Sequence, residues 1–540
     1  MSAETPLERA PPAARPASDV AGARAPLIPS DPAPLGERYA RYALTVLVLV
    51  YVLNFLDRQI LSILAERIKA DLQISDAQMG YLYGTAFAIF YAVFGIPLGR
   101  LADIWDRRKL IALGLTGWSV MTSLSRIARG FTQLALARVG VGVGEASANP
   151  AAYSLLADYF PPARRATALG IYSSGIYLGA GLGLGVGGLI VDRWDAAYAA
   201  AAPPFGLHGW QVAFLVVGLP GVLLALWVRT LREPPRGGRN AAHHERAANP
   251  GREFLGELGA ILPPFALLLM LGRGELRRAA ANAAIAAGAI AAAAGMTAWL
   301  GNPAQWYSLA IGLYAAASWA QSFQLRDPEG FDLIFRNKTL LRASLGFSFL
   351  SFTGYGYGFW IVPFLLRTHG ATLAKTGLLI GGVTAAGGWL GVTLGGVLAD
   401  HLRKRSRRGR LMVGVINALG TIPLAIGVLW TPSLNAAFLL CIPLFITTSL
   451  WLGPGASSVQ DLVPPRLRAV ASAVYLLIIT FIGLALGPYA IGRMSVAFGG
   501  LRPALLCGLA ANLIAATILL LAMRHLTRDE ERAIRAADTA

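Results

Sequence analysis

Runs of predominantly apolar residues, each near the twenty or so needed to cross a bilayer as a helix, recur along this chain, and no other feature limits its fold so sharply. Six lie near 40–64, 79–102, 109–128, 132–157, 166–190 and 210–230, and six more near 340–366, 376–399, 411–430, 434–459, 469–491 and 501–523. Between the two sets lies a further pair, 279–299 and 304–325, the first almost pure alanine and glycine. Lipid offers no hydrogen bonds, so runs of this kind satisfy their own backbone as helices. The expected fold is an all-α polytopic membrane protein: two six-helix bundles with pseudo-two-fold symmetry and two extra spans between them, about fourteen in all.

The charge distribution agrees. The chain carries a net charge of +18, yet only 14% of its residues are charged and 55% are hydrophobic, against about 25% charged in soluble domains. Its basic clusters, Asp106-Arg107-Arg108-Lys109 and Arg403-Lys404-Arg405-Ser406-Arg407-Arg408, sit between apolar runs. That pattern reads as positive-inside loops. A nucleic-acid binder would gather its charge on one element, without membrane-length apolar segments between clusters. Arg273, Arg277 and Arg278 precede the extra pair and Arg326, Arg336, Lys338 and Arg342 follow it, so both flanks are expected on the cytoplasmic side. The apolar run 258–271 contains Pro263-Pro264 and is too short to span; it reads as an interfacial helix.

The expected division is a disordered cytoplasmic tail at 1–38, rich in Pro, Ala and Arg and without the apolar core of a cleavable signal peptide; an amino-terminal bundle at 39–232; a cytoplasmic linker at 233–335 holding the interfacial helix and the extra spans; a carboxy-terminal bundle at 336–524; and a second cytoplasmic tail at 525–540. The two halves repeat. Gly99-Arg100-Leu101-Ala102-Asp103 returns as Gly396-Val397-Leu398-Ala399-Asp400, and Asp158, Pro161-Pro162, Arg165-Ala166 and Tyr172 return in the same spacing as Asp461, Pro464-Pro465, Arg468-Ala469 and Tyr475. Repeats in this order are related by an axis along the membrane normal.

The segment Gly99 to Lys109 resembles the loop motif between the second and third helices of the major facilitator superfamily, and Arg138 to Gly144 resembles its fourth-helix motif. Within that family, Asn54-Phe55-Leu56-Asp57-Arg58, Gly142-Val143-Gly144-Glu145-Ala146-Ser147 and Ala157-Asp158-Tyr159-Phe160-Pro161 resemble the Spinster-like transporters, whose animal members export sphingosine phosphate or lysophospholipids. The resemblance covers roughly 40–232 and 336–523 and leaves out the extra pair of spans. It implies a secondary transporter working by alternating access on an amphipathic or lipid-like molecule, with Asp57, Arg58, Arg138 and Glu145 at positions implicated in proton coupling. Organic-anion symporters of the superfamily share an Asp-Arg pair in their first helix, so an organic-anion symporter, or a drug or metabolite exporter, is the competing expectation.

The residues carry a parallel argument. Asp57 and Glu145 are the acids deep within spans, where charge is costly and normally faces a cavity or a partner. Asn54, Asp57 and Arg58 share one face of the first helix, and Arg138, Glu145 and Asn149 one face of the fourth. Two polar stripes can therefore meet, with Asn54, Arg58 and Asn149 available to substrate. A buried acid beside an arginine binds its proton according to which side is open; a purely structural ion-pair network would use the same residues. Gly99, Asp103, Arg107, Arg108 and Asp400 are expected as a gate latch or as topogenic charge. The glycines at 175, 179, 183 and 187 share a face suited to close helix approach. In the seventh frame span, Tyr355, Tyr357, Phe359 and Trp360 lie among glycines before Pro363, and the run reads as a broken, cavity-lining helix whose aromatics either meet substrate or pack. All six histidines fall in loops or at span ends, and no nucleotide loop or metal spacing is present. No enzyme activity, cofactor or metal is expected; the expected partners are the substrate, protons and the bilayer, with a monomer in a bacterial inner membrane.

Overall fold

The computed structural model describes residues 35–234 and 249–531. Most of both expected tails, and the middle of the linker, fall outside them. The first six helices are α1 (Glu37–Leu72), α2 (Asp76–Ile104), α3 (Arg107–Ile127), α4 (Phe131–Glu145 continued as Ala148–Tyr159), α5 (Pro162–Ala197) and α6 (Gly209–Arg229). The inserted pair is α7 (Leu276–Leu300) and α8 (Pro303–Arg326), followed by α9 (Lys338–His369), α10 (Leu373–Arg405), α11 (Gly409–Trp430), α12 (Leu434–Gln460), α13 (Pro465–Phe498) and α14 (Leu501–Met523). Among the described residues twelve helices are long and apolar enough to cross a membrane. The broken α4 and the more polar α8 fall outside that measure, and with them the order is the one read from the apolar runs.

Proline places the breaks. It donates no N–H and crowds the carbonyl four residues earlier. Pro150 therefore interrupts α4 at Ala146-Ser147, and Pro454 interrupts α12 at Leu450-Trp451, within one residue of repeat-equivalent places. By contrast, the expected break in the aromatic seventh span is not there. α9 is one continuous helix of 32 residues through Pro363, because Phe359, Trp360 and Phe364 are fully packed on either side of the proline. Helices Pro250–Ile261 and Phe265–Gly272 meet at 98°, neither long enough to span.

The glycine face expected on α5 does pack closely: a β-carbon at Gly179 would lie 2.2 Å from the Val52 carbonyl oxygen, and one at Gly183 would lie 2.7 Å from that of Leu56. A second glycine face of α5 meets the other half. Gly181 and Gly381 press backbone to backbone, and a β-carbon on either would approach the other's carbonyl oxygen to 2.4 Å. On the opposite flank, Gly80 and Gly84 of α2 bring that helix against the backbone of Pro488 and Leu484 of α13. These two seams join the halves.

Repeat symmetry extends to ion pairs at the end that carries the basic loops. Arg107 pairs with Asp158 at 2.5 Å, and its repeat equivalent Arg410 pairs with Asp461. Each pair stays within its own half.

Candidate functional site

Asp57, Arg58, Arg138 and Glu145 do converge, in the interior of the amino-terminal bundle. Arg58 Nε donates to Glu145 Oε2 at 2.6 Å. Its guanidinium stands 4.3 Å from the Phe87 ring centroid, 4.7 Å from Phe55 and 4.9 Å from Tyr91. Three ring faces and one carboxylate thus hold a cation in an apolar setting. Asp57 and Glu145 are fully buried, and Arg138 is almost so. Thr122 Oγ1 donates to Asp57 Oδ2 at 3.2 Å.

Several atoms of this cluster lack a partner among the described residues: Asn54 Oδ1, Asp57 Oδ1, Glu145 Oε1, Arg58 Nη2, and Nε and Nη1 of Arg138. Two acids and two arginines balance in charge but not in hydrogen bonds. The open acceptors on Asn54, Asp57 and Glu145 and the open donors on Arg58 and Arg138 leave hydrogen-bonding capacity for a proton or an anion.

Arg58 is also the link to the cavity between the halves. That cavity is lined from one side by Phe55, Arg58, Gln59, Tyr83, Phe87 and Tyr177, and from the other by Ser351, Tyr355, Tyr357, Thr384, Thr448, Ser449 and Trp451 among others. Arg58 is the one charged side chain in its lining. Aromatic rings contribute from both sides, aliphatic residues and glycines fill much of the rest, and the hydroxyls of Ser351, Thr384, Thr448 and Ser449 lie on the carboxy-terminal side.

The other expected binding residues divide. Tyr355 and Tyr357 line the cavity, although the Tyr357 hydroxyl is spent on the Leu505 carbonyl at 2.9 Å. Phe359 and Trp360 do not line it. Phe359 packs against Tyr83, and Trp360 Nε1 donates to the Pro488 carbonyl at 2.7 Å. Asn149 lies beyond the break in α4, donating to Tyr91 Oη at 3.0 Å and accepting from Tyr172 Oη at 2.9 Å. Its polar groups therefore hold tyrosines rather than face the cavity. Asn54 is buried beside Glu145 and is likewise absent from the lining.

Of the expected latch, Arg107 is buried, with Glu233 at 2.7 Å, Ser154 at 2.8 Å and Asp158 around it, while Arg108 donates to the Leu231 carbonyl at 2.6 Å. Together they fasten the segment after α6 to α3 and α4. Gly99 is half-buried, and Asp103 and Asp400 are exposed, without a hydrogen bond or ion pair to the described residues.

A gate that sequence reasoning did not single out closes the other end. Arg367 of α9 donates to both oxygens of Asp76 at 2.7 Å and to Glu66 at 2.6 Å, while Lys69 also pairs with Asp76. Ser495 of α13 donates to Asp76 Oδ2 at 2.8 Å, and Asp192 of α5 accepts from the Ala374 N–H at 2.7 Å. Nearer the centre, Gln59 and Ser62 donate to the carbonyls of Gly358 and Phe359. The sequence signal at Asp76 was masked by its place in a Ser75 to Gln78 capping box, which reads as local helix chemistry.

A family model, Major Facilitator Superfamily, matches residues 47–488. The chain belongs to the major facilitator superfamily. It is a multi-pass membrane transporter, and neither its fold nor its relatives are those of enzymes. An MFS-type efflux pump of Mycolicibacterium smegmatis is 30% identical over 461 residues, 85% of each chain. Protein spinster homolog 1 of Homo sapiens is 28% identical over 479 residues, 84% of this chain and 73% of that one. Among solved structures, a bacterial homologue of the human lysosomal transporter Spinster, in its inward-facing and unoccupied conformation, superposes with a TM-score of 0.70 at 28% identity, covering 92% of this chain and 99% of that one. The xylose transporter XylE of E. coli, at 14% identity and a TM-score of 0.57, shares the fold.

Proposed function

We propose that this transporter moves an amphipathic or lipid-like organic molecule by alternating access, with Glu145 and Asp57 coupling the cycle to protons. The observation that carries the proposal is the place of Arg58, which bonds the fully buried Glu145 and is the charged group of an otherwise uncharged, largely apolar cavity. An apolar body fits the wall of Tyr83, Phe87, Tyr355 and Trp451, and an anionic head group fits Arg58. The carboxylate of Glu145 and the substrate anion then compete for one guanidinium. A proton on Glu145 cancels its charge and frees Arg58; loss of the proton returns Arg58 to Glu145 and releases the anion.

Positive-inside topology puts the basic loops and both termini in the cytoplasm, of a bacterial inner membrane on our reading, with the transporter a monomer. The gate around Arg367 then closes the outer side, and the conformation described is inward-facing. Asp103 and Asp400, exposed here, engage when the cytoplasmic side closes, as latch residues of the Gly99 to Arg108 loop and its repeat.

Flux into proteoliposomes under an imposed pH gradient tests this, with a panel of lysolipids and sphingoid phosphates set against a panel of organic anions. Gradient-driven lipid flux in the wild type, lost in Glu145→Gln at unchanged expression, is the expected result. Full coupling in Glu145→Gln would reject the role of that acid. The efflux relative and the single cavity cation also favour a second reading, an organic-anion or drug transporter; anion or drug flux without lipid flux selects it.

A further inference from the structure

The inserted pair has a place in the fold that neither half predicts. α7 is exposed over most of its length, with Ala279, Asn282 and Ala293 as its buried residues. α8 instead fills the groove where the halves meet along α2 and α13, and its residues reach both. On the α2 side, Ser308 is hydrogen-bonded to Tyr81 at 3.1 Å and Gln305 Oε1 lies 2.6 Å from Thr85 Oγ1. On the α13 side, Asn302 in the turn that leads into α8 donates to Tyr489 Oη at 3.3 Å, Arg493 donates to the carbonyl of Leu300, the last residue of α7, at 3.1 Å, and the Trp306 ring stands edge-on to Tyr489 at 5.5 Å. Two turns further along, Gly312 lets the helix sink between Ile89 of α2 and Phe481 of α13; a β-carbon there would lie 2.9 Å from one and 3.0 Å from the other. Thr85 Oγ1 is also 2.8 Å from the Ala485 carbonyl, so the Thr85 hydroxyl, Gln305 and α13 form one buried three-way junction.

We propose that α8 is a clamp on the transport cycle, a third body whose simultaneous contacts with α2 and α13 favour the conformation closed at the Arg367 end. The proposal rests on the alternating-access reading. Opening that end separates α2 from α13, and a helix seated between them keeps the contacts of one side and gives up those of the other. Only interactions made in one state and not the other shift an equilibrium. The contacts of α8 with both halves are of that kind, whereas the buried network that joins α8 to α7, in which Asn282 donates to Ser318 and Gln321 at 2.9 Å, is internal to the pair and passes through either state unchanged. Gln305 is accordingly a positioning residue for the gate, acting through Thr85, with no contact to the cavity.

The test is the distance across the closed end, read by pulsed spin-label spectroscopy from Gln73 and Ser433, which are exposed on opposite halves, in a Cys441→Ser, Cys507→Ser background in lipid nanodiscs. Wild-type protein should show a major short distance and a minor long one. Gln305→Leu, which keeps the volume and removes the amide, and separately Asn302→Ala should each enrich the long distance about tenfold. Because Asn302 lies in the turn before α8, outside the buried Thr85 and Gln305 junction, Asn302→Ala serves if Gln305→Leu misfolds. Two populations left unmoved by both variants would overturn the clamp and leave alternating access standing. A single unchanging distance in wild type, variants and added lysolipid or organic anion would overturn both.

Discussion

Arg58 and Arg138 look interchangeable on helical faces, yet their surroundings assign them different work. Arg58 touches the cavity and three aromatic rings, whereas Arg138 is sealed inside the bundle near Asp57 and Glu145. A lysine at position 58 keeps the charge but not the planar guanidinium that bonds Glu145 through Nε while lying among the rings. Arg58→Lys is therefore expected to lower substrate flux by about tenfold or more, equivalent to ~1.4 kcal/mol, at wild-type expression; saturation curves in proteoliposomes would measure it. Asn149 is expected to behave in the opposite way. Its amide serves Tyr91 and Tyr172, so Asn149→Ala should lower thermal stability in detergent, by about 1–3 kcal/mol for the groups left unpaired, with little change in half-saturating substrate concentration. A large change in that concentration at unchanged stability would return Asn149 to the binding site.

At the scale of the helix, what could be read from the sequence depended on whether the cause was local. Apolar length fixed the spans, and four glycines at i, i+4 spacing announced the α1 face of α5. The second glycine face, Gly181, Gly185 and Gly188 against α10, uses the same helix at another angle, and only the docked partner tells which glycines are needed. Proline misled in both directions: the breaks set by Pro150 and Pro454 lie in runs read as uninterrupted spans, and at Pro363, where a break was expected, tertiary packing keeps α9 continuous. Likewise the acid and arginine stripes of α1 and α4 could be paired from spacing, while Phe359 and Trp360, adjacent to cavity residues in sequence, turn to the packed side of α9. Neighbouring glycines give a direct test. A β-carbon at Gly381 would lie 2.4 Å from the Gly181 carbonyl oxygen, whereas one at Gly382 meets nothing within 4 Å. Gly381→Ala should force α5 and α10 apart and abolish most transport, and Gly382→Ala should be silent. Equal fluxes from the two variants would mean that the seam is not rigid enough to matter.

On the scale of the whole molecule, the ion pairs describe a conformation. At the basic end Arg107 with Asp158 and Arg410 with Asp461 bind each half to itself, while at the other end Arg367 reaches from one half to Glu66 and Asp76 of the other. Asp76 is 7% exposed in its side chain and Arg367 28%, so this tie is neither a solvent-screened surface pair nor a fully desolvated one, and its loss should move the equilibrium without unfolding either bundle. Arg367→Met is expected to raise the population open at that end on the order of tenfold, ~1.4 kcal/mol. Thr384 lies in the cavity wall, so a membrane-impermeant maleimide applied from the Arg367 side should label Thr384→Cys faster by the same factor when Arg367→Met is added. Exchanging the charges, Arg367→Asp with Asp76→Arg, should not restore closure, because Lys69 and Ser495 also meet Asp76 and the new arginine would face a lysine. Recovery in the exchanged pair would show that the gate is a simple two-residue bridge, and an unchanged labelling rate in Arg367→Met would show that the glycine seams and α8 hold that end shut by themselves.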